Sequence, residues 1–395
     1  MKDEKLLKDR KLYVIFSITL IAVMGVASIT PAMPQMAVAL NLSETRIGLL
    51  ISAFTLPGIF LTPLAGIYAD RKGRKKILIP SLFIFAIAGF AIFFTRNFHN
   101  ILILRVLQGV GAASLGSLNV TLIGDFFKGQ QRPAAMGFNA SALSLSTATY
   151  PLVGGALAGI AWYYPFVLPL LAIPVGLFVI FGMEEPKFEV SQNLKEYFHA
   201  ISKSIFKKEV LAIFILSVLT FIILYGTFLT YLPFLLKQKF NLSAPEIGIT
   251  LSISSITTAI FASQVGKLTN KFGSLILLKT AFLLYFIVLL LVPNINNLYL
   301  FILPILIFGS AQALNIPSLQ TVLADFAPDN QRAAFMSMNG MVLRLGQTLG
   351  PLVIGIGFTI SGLKGAYYLG AFIAILGIFV LFTMLSKKID RNEKN

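Results

Sequence analysis

Two arginines stand inside long apolar stretches of the sequence, where a charged side chain is costly unless it is paired or hydrated. Arg105 lies about 8 Å and Arg344 about 16 Å into the helices that these stretches predict, at a rise of 1.5 Å per residue. A guanidinium at such a depth can bind a carboxylate, phosphate or phenolate through two hydrogen bonds. Both arginines are therefore candidate ligand-binding residues. The alternatives are that Arg105 snorkels to the surface and that Arg344 bonds to backbone carbonyls near Pro351.

Further polar side chains occur in the same apolar stretches. With the two arginines they form the predicted substrate or proton pathway: Gln108, Asn119, Asn139, Tyr150, Tyr225, Gln312, Asn315, Asn339 and Gln347. By contrast, all 16 acidic residues fall in tails, loops or predicted helix ends. The apolar stretches therefore offer positive charge and amide groups but no carboxylate at their centres.

The sequence lacks the residues of several common active sites. It has no cysteine and only two histidines, His99 and His199, both in predicted loops. Thiol catalysis, disulfides and cysteine metal sites are therefore excluded. The apolar stretches hold no cluster of metal ligands, no Ser/His/Asp set and no acid pair, and no G-x-x-x-x-G-K-[ST] motif occurs. The protein is predicted not to be an enzyme and to hold no metal or cofactor.

The elements that must position the polar residues are helices that cross a membrane. The chain is 56% hydrophobic and only 12% charged, with a mean hydropathy of +0.83, and a bilayer-spanning helix needs roughly 20 mostly apolar residues. Twelve such stretches are predicted, near residues 12–32, 47–66, 77–95, 100–124, 133–157, 164–183, 210–232, 247–266, 275–293, 298–323, 333–357 and 365–385. The predicted fold class is therefore an all-α integral membrane protein with 12 transmembrane helices.

The positive charges predict how the chain lies in the membrane. A net charge of +16 could suggest nucleic-acid binding. However, 25 of the 32 lysines and arginines fall in the two tails, the central linker and every second loop. This distribution satisfies the positive-inside rule with both termini in the cytoplasm. The basic balance thus indicates topology, and no nucleic-acid partner is expected.

The chain repeats itself at an offset of 200 residues. Repeated pairs include Asp125/Asp325, Gln131/Gln331, Arg132/Arg332, Asn139/Asn339, Pro151/Pro351 and Gly155/Gly355. Each copy contains six apolar stretches, an even number, so the two copies enter the membrane in the same orientation. The predicted organisation is a six-helix bundle over residues 1–183, a charged cytoplasmic linker over 184–209 and a second six-helix bundle over 210–395.

A glycine-containing motif joins the second and third predicted spans. Residues 66–78 read GIYADRKGRKKIL and resemble the signature G-x-L-A-D-R-x-G-R-K-x-x-L of the major facilitator superfamily, with Tyr68 in place of leucine. Gly66 would allow a close approach between helices, and Gly73 a tight turn. The alternative is an ordinary positively charged loop, which does not explain the glycines.

The resemblance implies a gate on the cytoplasmic side. Asp70 would latch this side closed at the N-terminal end of span 11, where partial positive charge favours a carboxylate, and Arg74 would pair with Asp125. The second copy has Asn270 where Asp70 stands, so its latch should be weaker. The predicted gate residues are Gly66, Asp70, Arg71, Gly73, Arg74, Asp125, Asp325 and Arg332.

Two further motifs resemble signatures of the superfamily's drug:proton antiporters. Residues 105–111 match R-x-x-Q-G-x-G, and residues 146–155 are similar to G-x-x-x-G-P-x-x-G-G, although Ser146 and Tyr150 replace two of its glycines. The second resemblance favours export over uptake and implies a kinked, closely packed hinge at Pro151, Gly154, Gly155, Gly350, Pro351 and Gly355. The alternative is the small-residue packing that is common in membrane helices.

The resemblance implies the major facilitator fold, in which two parallel six-helix repeats expose a central site alternately to each side. The expected function is proton-driven efflux of small lipophilic or amphiphilic compounds. Neutral or anionic substrates are favoured over cations, because no carboxylate lies at mid-membrane, and proton coupling would have to use Asp70, Asp125 and Asp325. A close alternative is a facilitator or proton symporter that takes up a small anionic metabolite. The expected setting is the lipid bilayer of a bacterial inner membrane, with the protein a monomer.

Overall fold

A computed structural model describes residues 9–129, 131–185, 207–326 and 332–385 of the chain. The side chains of residues 67, 70, 332–334 and 337 are left out of the description. Residues 186–206 of the predicted linker, with His199, lie outside the described residues, as does Gln331 of the sequence repeat.

Within the described ranges, eleven helices are long and apolar enough to cross a membrane. They are α1 (Arg10–Ala39), α2 (Glu44–Lys72), α3 (Arg74–Phe94), α4 (Phe98–Phe126), α5 (Gln131–Ile160), α6 (Tyr164–Gly182), α7 (Lys208–Phe240), α8 (Ala244–Phe272), α9 (Ser274–Asn294), α10 (Leu298–Phe326) and α11 (Arg332–Val380). No strand occurs in these ranges. The predicted all-helical class is therefore confirmed.

The last helix contains what the sequence predicts as two separate spans. Inside α11 the backbone leaves the helical region at Ser361 (φ −144°, ψ 30°) and Gly362 (φ 59°, ψ −147°). A positive φ is readily adopted by glycine because it has no Cβ. The predicted spans 333–357 and 365–385 lie on either side of this break. The count of twelve spans stays a prediction.

Two helices begin at an asparagine cap of the same kind. Asn97 Oδ1 accepts from the backbone N–H groups two and three residues later, at 2.9 and 3.3 Å. Asn297 Oδ1 does the same at the start of α10, at 2.8 and 3.2 Å. Such a cap satisfies N–H groups that have no partner inside the helix.

The backbone repeats with the same offset of 200 residues as the sequence. The helices α2 and α8 end at residues 72 and 272, and each is followed by a glycine with positive φ, Gly73 at 100° and Gly273 at 78°. Asn41 and Asn241 share a φ of 53°. The sequence repeat therefore corresponds to a repeat of local structure, down to individual turn residues.

The described residues form two compact units. The first contains residues 9–129, 131–185 and 243–249, and the second contains residues 207–242, 250–326 and 332–385. The first helix of each unit departs from α geometry within its length. A 3-10 turn spans Thr30–Ala32 in α1, and a π-helical segment spans Ile223–Tyr231 in α7.

Gly73 is the whole connection between α2 and α3, and the segment after α6 is bound beside it. The carboxylate oxygens of Glu185 lie 3.4 Å from the backbone nitrogen of Lys75, in the first turn of α3, where a carboxylate is favourable. Lys75 Nζ donates to the Ile180 carbonyl of α6 at 2.9 Å. The tight turn predicted at Gly73 is confirmed.

Among the described residues no helix approaches Gly66 closely, so the close approach that this glycine would allow stays a prediction. A Cβ added at Gly66 would meet no described atom within 4 Å, and the same holds at Gly266 in the second copy. Both glycines lie within the last two turns of a helix that continues to the turn glycine. The space around them would accept a larger residue.

Gly73 and Gly66 form a matched pair for a stability test. Gly73→Ala would place a methyl group 2.6 Å from Glu185 Oε1 and would hold alanine at a φ of 100°, so it should destabilise the protein by about 1–2 kcal/mol or more. Gly66→Ala should be neutral or up to about 1 kcal/mol stabilising, because alanine favours helix. The check is thermal unfolding of both purified variants in detergent. An equal loss in both would contradict the assigned role of the turn.

Candidate functional site

An ion pair joins the first residue of α3 to the end of α4. Arg74 Nε lies 3.0 Å from Asp125 Oδ2, with the arginine side chain buried and the carboxylate about one-quarter exposed. The pair that the gate motif implies is therefore present. It fixes the motif to α4 within the first unit.

The other predicted gate residues differ in how far the structure describes them. Arg71 and Asp325 are exposed. The side chains of Asp70 and Arg332 lie outside the description, so the latch at the N-terminal end of span 11 stays a prediction.

Arg105 is the most buried charged side chain of the described residues, with no exposed surface. Its Nη1 donates to the Gly25 carbonyl of α1 and to Gln108 Oε1, both at 2.8 Å, and its Nε donates to the Leu50 carbonyl of α2 at 3.1 Å. The guanidinium carbon lies 4.4 Å from the ring centroid of Phe54. Arg105 thus connects α1, α2 and α4, and the alternative that it snorkels to the surface is wrong.

The glycines of the same motif explain how α4 comes close enough for these bonds. A methyl group at Gly109 would overlap the Phe54 carbonyl of α2. One at Gly111 would lie 2.6 Å from the Ser81 carbonyl and the Phe85 nitrogen of α3. The motif R-x-x-Q-G-x-G therefore packs α4 against two neighbours while its arginine bonds to two backbones.

One guanidinium nitrogen of Arg105, Nη2, is buried without a hydrogen-bond partner among the described residues. No described carboxylate contacts the arginine either. Its charge is balanced by carbonyl dipoles, an amide oxygen and the face of an aromatic ring.

A second polar cluster in the first unit joins two of the predicted pathway residues. Thr19 Oγ1 donates to Asn139 Oδ1 at 2.5 Å, and Asn119 Nδ2 donates to Thr19 Oγ1 and to the Ile15 carbonyl at 3.3 Å. Asn119 Oδ1 is buried without a partner among the described residues. The cluster links α1, α4 and α5.

The second unit uses the same kind of contact. Ser217 Oγ of α7 donates to Asn339 Oδ1 at 3.3 Å, and Thr220 Oγ1 donates to Asn315 Oδ1 at 2.9 Å. Gln312 Oε1 accepts more weakly from Thr258 of α8 at 3.4 Å. In both units a hydroxyl of the first helix binds the asparagine at position 139 or 339.

Arg344, Gln347 and Tyr225 come together on α11 and α7. Arg344 Nη1 donates to Gln347 Oε1 at 3.1 Å. The guanidinium and the Tyr225 hydroxyl are close enough to interact electrostatically. No described backbone carbonyl accepts from the Arg344 side chain, so the alternative of a structural bond near the Pro351 position is not present.

The predicted hinge residues lie where helices touch. Pro151 lies inside α5, and Pro351 lies inside the part of α11 that precedes the break at Ser361 and Gly362. A methyl group at Gly154 would overlap the Ser28 backbone of α1, and one at Gly350 would lie 2.9 Å from the Gly226 nitrogen of α7. The other two hinge positions, Gly155 and Gly355, are buried, and so is the neighbouring pathway residue Tyr150.

Several residues of these clusters are not identifiable from the sequence. Thr19, Ser217 and Thr220 are hydroxyl residues in apolar helices, where such side chains ordinarily bond to their own backbone. Phe54 is one of 35 phenylalanines. The three hydroxyl residues share one feature that the sequence does show, because all of them lie on the first helix of a half.

Comparisons with known proteins agree with the fold and the motifs. The model of the Major Facilitator Superfamily matches residues 15–243 and 232–395. Multidrug resistance protein 2 of Bacillus subtilis (strain 168) is 26% identical, over 97% of each chain. The bacillibactin exporter of the same organism is 28% identical, over 96% of this chain and 97% of that relative.

The fold is also that of solved transporters. The crystal structure of a mutant of the nucleoside transporter NupG superposes with a TM-score of 0.81 at 17% identity, covering 96% of this chain and all of that one. At this identity the likeness concerns the fold alone.

Replacing Arg105 tests whether it holds three helices together. Arg105→Met should destabilise the protein by about 2–4 kcal/mol, because it leaves buried acceptors without a donor. Arg105→Lys should restore only part of this, since one ammonium cannot reach all three acceptors. The control is Arg46→Met, the same change at an exposed arginine of the first unit. Thermal unfolding in detergent gives the answer, and equal melting temperatures for Arg105→Met and Arg46→Met would contradict the assignment.

Proposed function

The chain belongs to the Major Facilitator Superfamily, and on that premise we propose that it exports small lipophilic or amphiphilic compounds, driven by the proton gradient. It is a multi-pass membrane transporter of the drug-efflux type. The observation that supports export most directly is the likeness, over nearly the whole chain, to relatives named for multidrug resistance and for bacillibactin export. The antiporter motif at Arg105, with its two packing glycines, supports the same assignment.

The proposed mechanism is alternating access by two six-helix halves. Counting the two parts of α11 separately, on either side of Ser361 and Gly362, gives twelve spans. The halves would then enter the membrane in the same orientation, with both termini and the linker in the cytoplasm, as the positive-inside rule predicts. We propose a monomer as the working unit.

The charges of the spans support neutral or anionic substrates. Arg105 and Arg344 lie well inside described helices, whereas the described acidic residues lie at helix ends or beyond them. A buried guanidinium attracts anions and repels cations. A cationic drug would have no carboxylate at mid-membrane to bind.

Proton coupling is proposed to act at the cytoplasmic rim. Asp125 is already held by Arg74 at 3.0 Å, so protonation of this carboxylate would break the ion pair between α3 and α4. Asp70 and Asp325 are the other candidates. A rim carboxylate would then couple the gate, rather than the substrate site, to the proton.

The second candidate function is uptake of a small anionic metabolite by a facilitator or proton symporter. The observation that favours it is Arg344, whose only hydrogen-bonded side-chain partner in the described chain is a neutral amide. Such an arginine would serve an imported anion equally well.

Transport in cells with and without an uncoupler separates the two functions. Cells that express the protein should accumulate less of a neutral lipophilic fluorophore than cells with an empty vector. An uncoupler should abolish the difference, because export against a gradient needs the proton gradient. Energy-dependent accumulation of a small organic anion instead would identify the uptake function and contradict export.

The gate makes a separate prediction. A carboxylate at a helix N-terminus is worth about 0.3–1 kcal/mol, so Asp70→Asn should shift the balance between inward- and outward-open states by about two- to fivefold. Transport in proteoliposomes should fall while the melting temperature stays unchanged. Glu184→Gln is the control, since it removes a strongly exposed carboxylate whose ion pair within the described residues, with Lys11, is long at 3.9 Å. Unchanged transport by Asp70→Asn would refute the latch.

A further inference from the structure

Two glycines of α11 bring this helix directly against two aromatic residues of α7. A methyl group at Gly346 would lie 2.8 Å from Phe221 Cβ, and one at Gly350 would lie 3.1 Å from Tyr225 Cβ. Both pairs are separated by four residues, about one helical turn. The two contacts therefore hold the helices in register, and the Tyr225 hydroxyl lies close enough to the Arg344 guanidinium to interact with it electrostatically.

The rings and the guanidinium differ in how far they are covered. Phe221 is buried, with its ring centroid 5.9 Å from that of Tyr225. Tyr225 and Arg344 both stay partly exposed. The buried Phe221 ring thus packs beneath a partly exposed edge, which is formed by the Tyr225 phenol and the Arg344 guanidinium.

The polar groups at this edge are mainly hydrogen-bond donors. Gln347 accepts from Arg344 through Oε1 at 3.1 Å, which leaves its Nε2 as a donor. The remaining N–H groups of the guanidinium have no partner among the described residues, and the Tyr225 hydroxyl can also donate. A partner that only accepts hydrogen bonds, such as a carboxylate or a phenolate, fits this set best.

No acidic side chain of the described residues neutralises Arg344. The acidic residue of α7, Glu209, precedes Tyr225 by 16 positions, roughly 24 Å along a helix. Asp325 is exposed at the end of α10. The positive charge is therefore available to a ligand.

The depth of the arginine argues against a lipid headgroup as this ligand. Arg344 follows the start of α11 at Arg332 by 12 residues, roughly 18 Å, which is near the middle of a hydrocarbon core about 30 Å thick. Headgroup phosphates lie outside that core. The anion must reach the site with its own apolar body.

We infer that Arg344, Gln347 and Tyr225, supported by Phe221, form a binding subsite for an aromatic anion, meaning a carboxylate or phenolate carried on a flat ring. The guanidinium and amide hold the anionic group, and the Tyr225 ring lies against the aromatic body. The inference rests on the proposed function in one respect, that the bound anion is transported cargo. Tyr225 belongs to the π-helical segment of α7, a type of irregularity that frequently marks functional sites.

Equilibrium binding to the purified full chain in detergent tests the subsite. The probes are the naphthoate anion, its neutral methyl ester, and cyclohexanecarboxylate, which has the charge but no aromatic ring. The variants are Arg344→Gln, Arg344→Lys and Tyr225→Leu. Lys364→Gln is the matched control, because it removes one positive charge from an exposed position of the same helix.

Arg344→Gln should weaken naphthoate binding about tenfold or more, with a smaller loss in Arg344→Lys and none in Lys364→Gln. Binding of the methyl ester should not change. Tyr225→Leu should weaken naphthoate more than cyclohexanecarboxylate. Equal affinity of wild type and Arg344→Gln for naphthoate would overturn the subsite, as would an equal loss for the ester together with a lowered melting temperature.

Two further measurements distinguish a free anion from a lipid headgroup, and failure of the subsite from failure of the proposed export function. Competition of naphthoate by anionic phospholipid, but not by benzoate, would assign the site to a headgroup and overturn the inference. Uncoupler-sensitive export of the neutral fluorophore, together with unaltered naphthoate binding by Arg344→Gln, means that only the subsite fails. If Arg344-dependent binding occurs without any energised export, the subsite stands and the proposed function fails.

Discussion

The first unit depends on the buried guanidinium of Arg105, whose hydration is replaced by hydrogen bonds to backbone carbonyls. Arg105 bonds to Gly25 on α1 and Leu50 on α2, and it can do so only because Gly109 lets α4 lie directly on the α2 backbone. In a bilayer, helices gain little from hydrophobic association, since lipid is as apolar as they are. Close backbone contact and internal polar bonds must therefore supply the specificity, and Arg105 combines both.

The same constraint accounts for the contacts that recur in both units. Gly109 contacts the Phe54 carbonyl and Gly309 contacts the Ser254 carbonyl, and both residues of the two pairs are 200 positions apart. Asn139 and Asn339 each accept from a hydroxyl of the first helix in their own half. Small residues permit the approach, and one amide then fixes the rotation of each helix. These contacts belong to the fold, because both copies retain them.

The sequence predicts the repeated features well and the individual partners poorly. Span positions follow from apolar run length, and turn residues such as Gly73 follow from the glycine motif. The main partners of Arg105 are backbone carbonyls of apolar helices. Every residue has such a carbonyl, so the sequence does not show which ones accept hydrogen bonds. Gly66, which has no described neighbour within 4 Å, shows a related limit, because a glycine in the sequence permits a close helix approach but does not identify a neighbouring helix. The hydroxyls of Thr19 and Ser217 are hidden by their capacity to bond within their own helix.

Differences between the two copies mark what the fold does not require. One repeat away from Arg105 and Gln108 stand Ile305 and Phe308, and there Phe308 stacks on Phe228 with ring centroids 4.5 Å apart. An aromatic pair in the second unit thus takes the place of a polar clamp in the first, so the architecture is compatible with either. Arg344, in turn, corresponds to Ser144. Because each arginine occurs in one copy only, neither charge follows from the shared helical framework. Arg105 makes three hydrogen bonds inside its unit and has no exposed surface, whereas Arg344 makes one described hydrogen bond and stays partly exposed. Of the two, Arg344 is therefore the one whose charge remains available for a substrate.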